Sequence, residues 1–245
     1  MTAPAQTQLG EAVQQGLLAL LLPLADTKQR LGFQFSHWVT GTPALEGAVG
    51  AAALTQDELG HARSLYPLIR SLPGAPESLS DENDLQSRRA RLHPRALDEK
   101  WDTWLKLVAV NVTLDAALHE VFGVLRDSSF TPLAPIAGKI NQEERFHRIF
   151  GDTWLARIGE QGGEMKDRLQ AAIVWAYPTA YLWFGPEDGA GTRVLVEAGV
   201  LTEPLNTVRT RWQEALAGKL DRAGLTLPPT PDLGSFDAER RDRNA

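Results

Sequence analysis

The sequence predicts an all-α protein, a bundle of four long helices with additional helices at its C-terminal end. Apolar residues recur at helical spacing from residue 8 to residue 225. The alternating Val, Ile and Thr patterns of strands between Asn-Gly or Asp-Gly turns are missing, so we expect no sheet. Turn and cap signals divide this region into helices over residues 9–39, 43–72, 99–126, 135–158, 164–183, 193–199 and 203–225.

The chain is predicted to form one helical domain with a tail. At 245 residues it is long enough for a single well-cored domain, which we place at residues 1–227. A charged segment with little apolar content, residues 77–94, is predicted to be a long surface connection between the second and third helices. Residues 228–245 are rich in Pro, Asp and Arg, which predicts a flexible C-terminal tail.

Composition argues against several classes of protein. The 25 Lys and Arg residues against 31 Asp and Glu residues give a formal net charge of −6, which does not favour binding to nucleic acid. The absence of cysteine excludes disulfides and thiolate sites and suits a cytoplasmic location. The most apolar run, residues 17–25, is too short to span a bilayer, so no membrane association is expected.

Two Glu-x-x-His motifs carry the chemistry. Glu58 and His61 lie in the second predicted helix, and Glu144 and His147 lie in the fourth. Residues three apart share one face of a helix, so each motif places a carboxylate beside an imidazole. Ferritin-like di-iron bundles use such a motif from each of two helices and one carboxylate from each of the other two. The sequence therefore predicts a ferritin-like four-helix bundle with a buried metal site.

The remaining two ligand positions follow from the hairpin geometry. Residues equally far from a turn face each other in an antiparallel helix pair, and the turn near residues 129–130 places Asp115 opposite Glu144. Asp115 lies in the apolar stretch 112–118, where an unpaired carboxylate would be costly, so it is the predicted ligand from the third helix. The turn at Pro43 places Lys28 opposite Glu58, where a complete site would have Asp or Glu.

With these motifs in hand, the chain resembles the phenylacetate-degradation oxygenases, the A-type (catalytic) and C-type (structural) subunits of phenylacetyl-CoA 1,2-epoxidases. The resemblance rests on Asp-Glu-Leu-Gly-His-Ala-Arg at 57–63, Glu-Glu-Arg-Phe-His at 143–147 and Leu-Asp-Ala-Ala-Leu at 114–118. It covers nearly the whole chain, and its C-terminal part, from Arg211-Trp212 to residues 227–228, is most similar to the C-type subunits.

The resemblance implies a function and a set of partners. It implies a multicomponent monooxygenase that activates dioxygen at two irons and epoxidises the aromatic ring of phenylacetyl-CoA, a CoA thioester. A sister oxygenase subunit, in a homodimer or a heterodimer, and a reductase that carries a flavin and an iron–sulfur cluster would be the partners. Carried over to this sequence, the metal ligands would be Glu58, His61, Asp115, Glu144 and His147. Together with Lys28, the three carboxylates Glu58, Asp115 and Glu144 are the predicted catalytic residues.

Lys28 changes the expected iron content, so one or two irons per chain are possible. Either burial and nearby cations depress the pKa of Lys28, or its ammonium replaces one iron and pairs with Glu58. We favour the second hypothesis, which leaves a single iron on Asp115, Glu144 and His147. Two functions stay open: an oxygenase subunit with its own metal chemistry, or a non-catalytic scaffold that stabilises the catalytic sister subunit.

Overall fold

The structure, a computed structural model, describes residues 9–79, 91–186, 189–234 and 236–243. This part of the chain contains seven α-helices, two short 3-10 helices at Glu77–Leu79 and Arg95–Leu97, and one small hairpin, which confirms the all-α prediction. The helices are α1 Glu11–Ser36, α2 Leu45–Arg70, α3 Trp104–Leu125, α4 Ala134–Gln161, α5 Gly163–Trp183, α6 Ala190–Glu197 and α7 Leu205–Arg222. Most of the predicted connection at 77–94 lies outside the described residues.

Two antiparallel helix pairs form the bundle. Helix α1 packs along α2, and α3 packs along α4, while α2 and α4 also contact each other. Buried apolar residues of the helices form a common core, in which α1 contributes mainly leucines and α3 contributes leucines and valines. Helices α5 and α7 cover α3, and α6 covers α1. The centre of the bundle is thereby shielded from water by packing on several sides.

Helix α3 is the most apolar element and lies inside the protein. By length and composition it could cross a membrane, but 83% of its apolar window is buried within the protein itself. The helix starts at Trp104, five residues after the predicted start, because Thr103 has extended backbone angles and its hydroxyl accepts a bond from the Leu105 N–H. Its middle, Asn111–Asp115, forms a π-helical turn that the sequence did not predict.

The C-terminal segment forms a short hairpin, so the expectation of no sheet is wrong there. Strands β1 Phe236–Asp237 and β2 Asp242–Arg243 pair antiparallel, Phe236 opposite Arg243. Strands of two residues are too short for any alternation of apolar and polar residues to be seen in the sequence.

The hairpin is held to the bundle by Arg241. Its guanidinium is buried and donates to the backbone carbonyls of Trp183 and Phe184 at the end of α5. Burial lowers the pKa of Arg241 to about 10. Backbone carbonyls at a helix C-terminus attract a cation, so this contact stabilises the C-terminal end of α5. The division into a domain at 1–227 and a flexible tail stays a prediction.

Candidate metal centre

All four helices of the bundle deliver polar side chains to one buried cluster. Helix α1 contributes Lys28 and α3 contributes Asp115, while α2 and α4 each contribute one Glu-x-x-His motif. The members of this central cluster, none of them more than 2% exposed, are Lys28, Glu58, His61, Asp115, Glu144 and His147. The structure thus brings together every residue that the sequence analysis placed in the site.

The Lys28 ammonium lies among the three carboxylates. Its Nζ donates to Glu58 Oε1 at 3.0 Å, to Asp115 Oδ1 at 2.8 Å and to Glu144 Oε1. An ammonium has three donors, so these three contacts use all of them. The sequence hypothesis paired Lys28 with Glu58 alone, whereas the structure adds bonds to both carboxylates of the second helix pair.

The two imidazoles stack against each other, with ring centroids 5.8 Å apart. His147 Nδ1 contacts Asp115 Oδ2 at 3.0 Å, and His61 Nδ1 lies 3.5 Å from Glu144 Oε1. The nitrogens that lie within the cluster are therefore the Nδ1 atoms. Each imidazole is thus oriented with one nitrogen toward the carboxylates.

Acidic residues hold the outer nitrogens in a crossed pattern. Asp57, which precedes the first motif, lies with Oδ2 3.4 Å from Nε2 of His147 in the second motif. Glu143, which precedes the second motif, lies with Oε2 3.2 Å from Nε2 of His61 in the first. A carboxylate on the outer nitrogen of an imidazole fixes the ring and its tautomer, as is common around metal-binding histidines. The half-buried Asp57 has a pKa below its ordinary value because His147 hydrogen-bonds to it.

Burial and mutual charge set the protonation of the cluster. Burial opposes the Lys28 charge, but the carboxylates, Asp115 most strongly, raise the pKa of Lys28 well above its ordinary value. Burial likewise opposes charge on His147, yet Glu144 and Asp115 raise its pKa well above the ordinary value.

The three carboxyl groups are not equivalent. Burial favours the neutral form of each, but Lys28 and His147 outweigh it at Asp115 and hold its pKa well below the ordinary value. The pKa of Glu144 is lowered too: burial and Asp115 raise it, and Lys28 and His147 lower it by more. At Glu58 burial prevails and raises the pKa well above the ordinary value. Lys28 and His147 therefore favour the ionised forms of Asp115 and Glu144, whereas burial disfavours the ionised form of Glu58.

The donor atoms of the cluster also fit a metal ion. One ligand atom from each of Glu58, Asp115, Glu144 and His147 lies within 4.8 Å of all the others. Within the described part of the chain, Glu58 Oε2, Glu144 Oε2 and His61 Nδ1 are buried without a hydrogen-bond partner. Buried acceptors without a partner are costly, and a divalent cation bound by Glu144 would satisfy its Oε2. Carboxylate oxygen with imidazole nitrogen is a donor set that suits iron.

Asp26, the nearest other carboxylate on α1, does not belong to this cluster. Its Oδ1 accepts from the Tyr66 hydroxyl at 2.7 Å, and its Oδ2 accepts from the Leu92 N–H at 2.6 Å. One residue that the sequence analysis missed is Asn111, whose amide donates to Asp115 Oδ2 at 2.9 Å. Its one sequence signal is a polar side chain inside the apolar stretch of α3, one turn before Asp115.

The fold and the cluster define a class. A helical bundle that buries two Glu-x-x-His motifs and a further carboxylate at its centre has the ferritin-like fold of the di-iron carboxylate proteins. Among solved structures the chain is similar to the xenon-pressurised phenol hydroxylase from Pseudomonas sp. OX1, with a TM-score of 0.63 and 18% identity over 90% of this chain and 67% of that one. This likeness supports the fold.

Sequence comparison narrows the class to a family. The family model for the phenylacetic acid catabolic protein matches residues 1–242, and the chain belongs to that family. It is 27% identical to the C-type subunit of the 1,2-phenylacetyl-CoA epoxidase from Escherichia coli K12, over 86% of this chain and 84% of that one. It is 26% identical to the A-type subunit of the same enzyme, over 83% of this chain and 65% of that one.

Proposed function

We propose that this chain is a subunit of a phenylacetyl-CoA epoxidase-type monooxygenase in phenylacetate breakdown, and that it carries its own metal centre. The observation that carries this proposal is the buried cluster of three carboxylates and two imidazoles in a member of the family. Its substrate would be the CoA thioester of an aromatic acid. A reductase and a sister oxygenase subunit would complete the enzyme, because the relatives are two different subunits of one epoxidase.

Charge counting favours one divalent ion in this centre. Three ionised carboxylates are neutralised by one divalent ion together with the Lys28 ammonium, with His147 neutral. Two divalent ions beside the same ammonium would leave two positive charges in excess, and buried excess charge is strongly unfavourable. Asp115, Glu144 and His147 would hold the ion, and Lys28 would keep Glu58 in place on the other side. Bound iron would supply the activation of dioxygen.

The protein side chains then have defined tasks. Lys28 keeps three carboxylates together that would otherwise repel one another, and it supplies a proton donor at Nζ inside a dry core. Asp57 and Glu143 hold the outer nitrogens of the imidazoles, so that their Nδ1 atoms stay aimed at the carboxylates. The surrounding apolar core excludes water from the cluster, which strengthens every charge interaction in it.

The scaffold function is the less favoured alternative. A core that served only as an ion-pair network would be expected to satisfy its own polar atoms. The partnerless Oε2 of Glu144, a residue that would hold the ion, argues instead for a centre that takes an additional cation.

Product formation by the assembled enzyme tests the proposal. The chain would be co-expressed with an A-type partner, combined with the reductase, and assayed with phenylacetyl-CoA for an added oxygen atom by mass spectrometry. We expect Glu144→Gln to leave the complex assembled and to lower the rate by about 100-fold or more, since it removes a charged ligand. The control Glu160→Gln changes an exposed carboxylate of α4 and should keep the wild-type rate. An assembled Glu144→Gln complex with an undiminished rate would assign the scaffold function.

A further inference from the structure

The π-helical turn of α3 ends on the metal-centre carboxylate. The turn spans Asn111–Asp115, and π turns are rare insertions that occur often at functional sites. Within it Asn111 precedes Asp115 by four residues, and both side chains are buried. The two side chains are joined by a hydrogen bond, which Asn111 Nδ2 donates to Asp115 Oδ2 at 2.9 Å.

We propose that Asn111 and Gly151 are a positioning pair that fixes the orientation of the Asp115 carboxylate for a bound cation. This inference rests on the proposed metal centre and adds two residues to it that do not touch the ion. Asn111 supplies the hydrogen bond, and Gly151 of α4 supplies the space in which the Asn111 amide can lie.

Each oxygen of Asp115 has a distinct set of donors. Oδ1 accepts from Lys28 Nζ at 2.8 Å, whereas Oδ2 accepts from Asn111 Nδ2 and from His147 Nδ1 at 3.0 Å. A nitrogen that binds a cation has no proton to donate, so His147 would stop donating to Oδ2 once its Nδ1 became a ligand. Among the described residues, Asn111 would then be the remaining donor to Oδ2.

The orientation of the Asn111 amide follows from the same bond. A carboxylate oxygen that accepts hydrogen bonds needs the NH₂ end of the amide, so the carbonyl end must point away from Asp115. That carbonyl oxygen, Oδ1, is buried and has no hydrogen-bond partner within the described part of the chain. It faces Gly151, where α4 crosses the π turn.

Glycine is required at that crossing. A Cβ at position 151 would overlap Asn111 Oδ1 and would lie 2.9 Å from Val112 Cγ1. Any larger residue would therefore push the amide from its place, and with it the hydrogen bond to Asp115. Gly138, on the same helix, has nothing within 4 Å of its Cβ position and so provides a matched control.

Iron affinity tests this pair. The full-length variants Asn111→Ala, Gly151→Ala, the double variant and Gly138→Ala would be titrated anaerobically with Fe(II) against a chromogenic chelator, and their Tm recorded. We expect Asn111→Ala and Gly151→Ala each to raise the Kd about 10- to 100-fold, as for other residues that orient metal ligands. The double variant should match Asn111→Ala in Kd, because both changes remove the same hydrogen bond, and it should recover part of the Tm lost in Gly151→Ala. Gly138→Ala should keep the wild-type Kd.

The contrary outcomes are equally specific. An unchanged Kd in Asn111→Ala, or a Gly151→Ala variant that loses Tm but keeps its Kd, would overturn the pair. If Gly151→Ala does not fold, the Kd of Asn111→Ser decides whether the pair positions Asp115.

If the wild type binds no iron, the proposed metal centre fails. Crystal structures of the wild type and of Asn111→Ala then decide whether the pair positions Asp115. An Asp115 carboxylate that rotates in the variant supports it, and one that stays in place overturns it.

Discussion

Replacing Lys28 by glutamate should raise bound iron from about one to about two ions per chain, because it removes a buried positive charge and adds the fourth carboxylate that neutralises a second divalent ion. Lys28 Nζ now occupies the space between Glu58 and Asp115, at 3.0 and 2.8 Å from their oxygens. A glutamate on the same turn of α1 would offer oxygen ligands in the region that the ammonium fills. Glu58, with its partnerless Oε2, would become available to a second ion.

The Lys28→Glu measurement needs iron and protein determined on the same sample. Wild type and variant would be expressed in iron-supplemented medium, purified without chelator and analysed by plasma mass spectrometry. Lys100→Glu is the matched control, since it makes the same charge change at an exposed position outside the cluster. An unchanged iron stoichiometry in Lys28→Glu would sink the idea that the ammonium stands in for an iron.

Replacing Asp115 by alanine should destabilise the metal-free protein by about 3–5 kcal/mol, the cost of breaking a buried ion pair by removing one partner. Asp115 accepts bonds from Lys28, His147 and Asn111, and its burial keeps water from replacing them. The truncation leaves two buried cations facing fewer negative charges. The loss would be measured as the free energy of unfolding in urea with chelator present.

Two comparisons sharpen the Asp115→Ala result. Asp102→Ala removes a carboxylate that is 75% exposed, so it should leave the stability close to that of the wild type. The double variant Lys28→Met, Asp115→Leu should not recover the loss, because removing the ammonium also leaves the buried Glu58 and Glu144 without their shared cation. A loss below about 1 kcal/mol in Asp115→Ala would contradict the buried ion-pair description.

The sequence located the cluster because hairpin geometry is regular. Asp115 could be placed opposite Glu144 of the fourth-helix motif by counting from one turn, since two antiparallel helices advance by the same rise per residue. The same counting placed Lys28 opposite Glu58, where the structure has a 3.0 Å contact between them. It could not foresee that Lys28 would also contact Glu144 of α4, because counting within a hairpin says nothing about the distance between hairpins.

The features that escaped prediction depend on contacts distant in sequence. The π turn at Asn111–Asp115 has no local signature, and its neighbour Gly151 lies on another helix. The hairpin of β1 and β2 depends on Arg241, which donates to the last backbone carbonyls of α5. This tertiary contact cannot be read from a segment whose composition is rich in Pro, Asp and Arg. The composition of a segment indicates only how such segments behave on average. A single buried guanidinium with two hydrogen-bond acceptors can nevertheless order a short segment.

The iron content of the wild-type chain decides whether the buried cluster is a metal centre. The protein would be expressed in iron-supplemented medium, purified without chelator, and analysed for iron by plasma mass spectrometry. We expect about one iron per chain, bound beside the Lys28 ammonium by Asp115, Glu144 and His147. Iron below about a tenth of an equivalent would contradict it and leave the cluster as an ion-pair core, because a site with these ligands should retain its metal through purification.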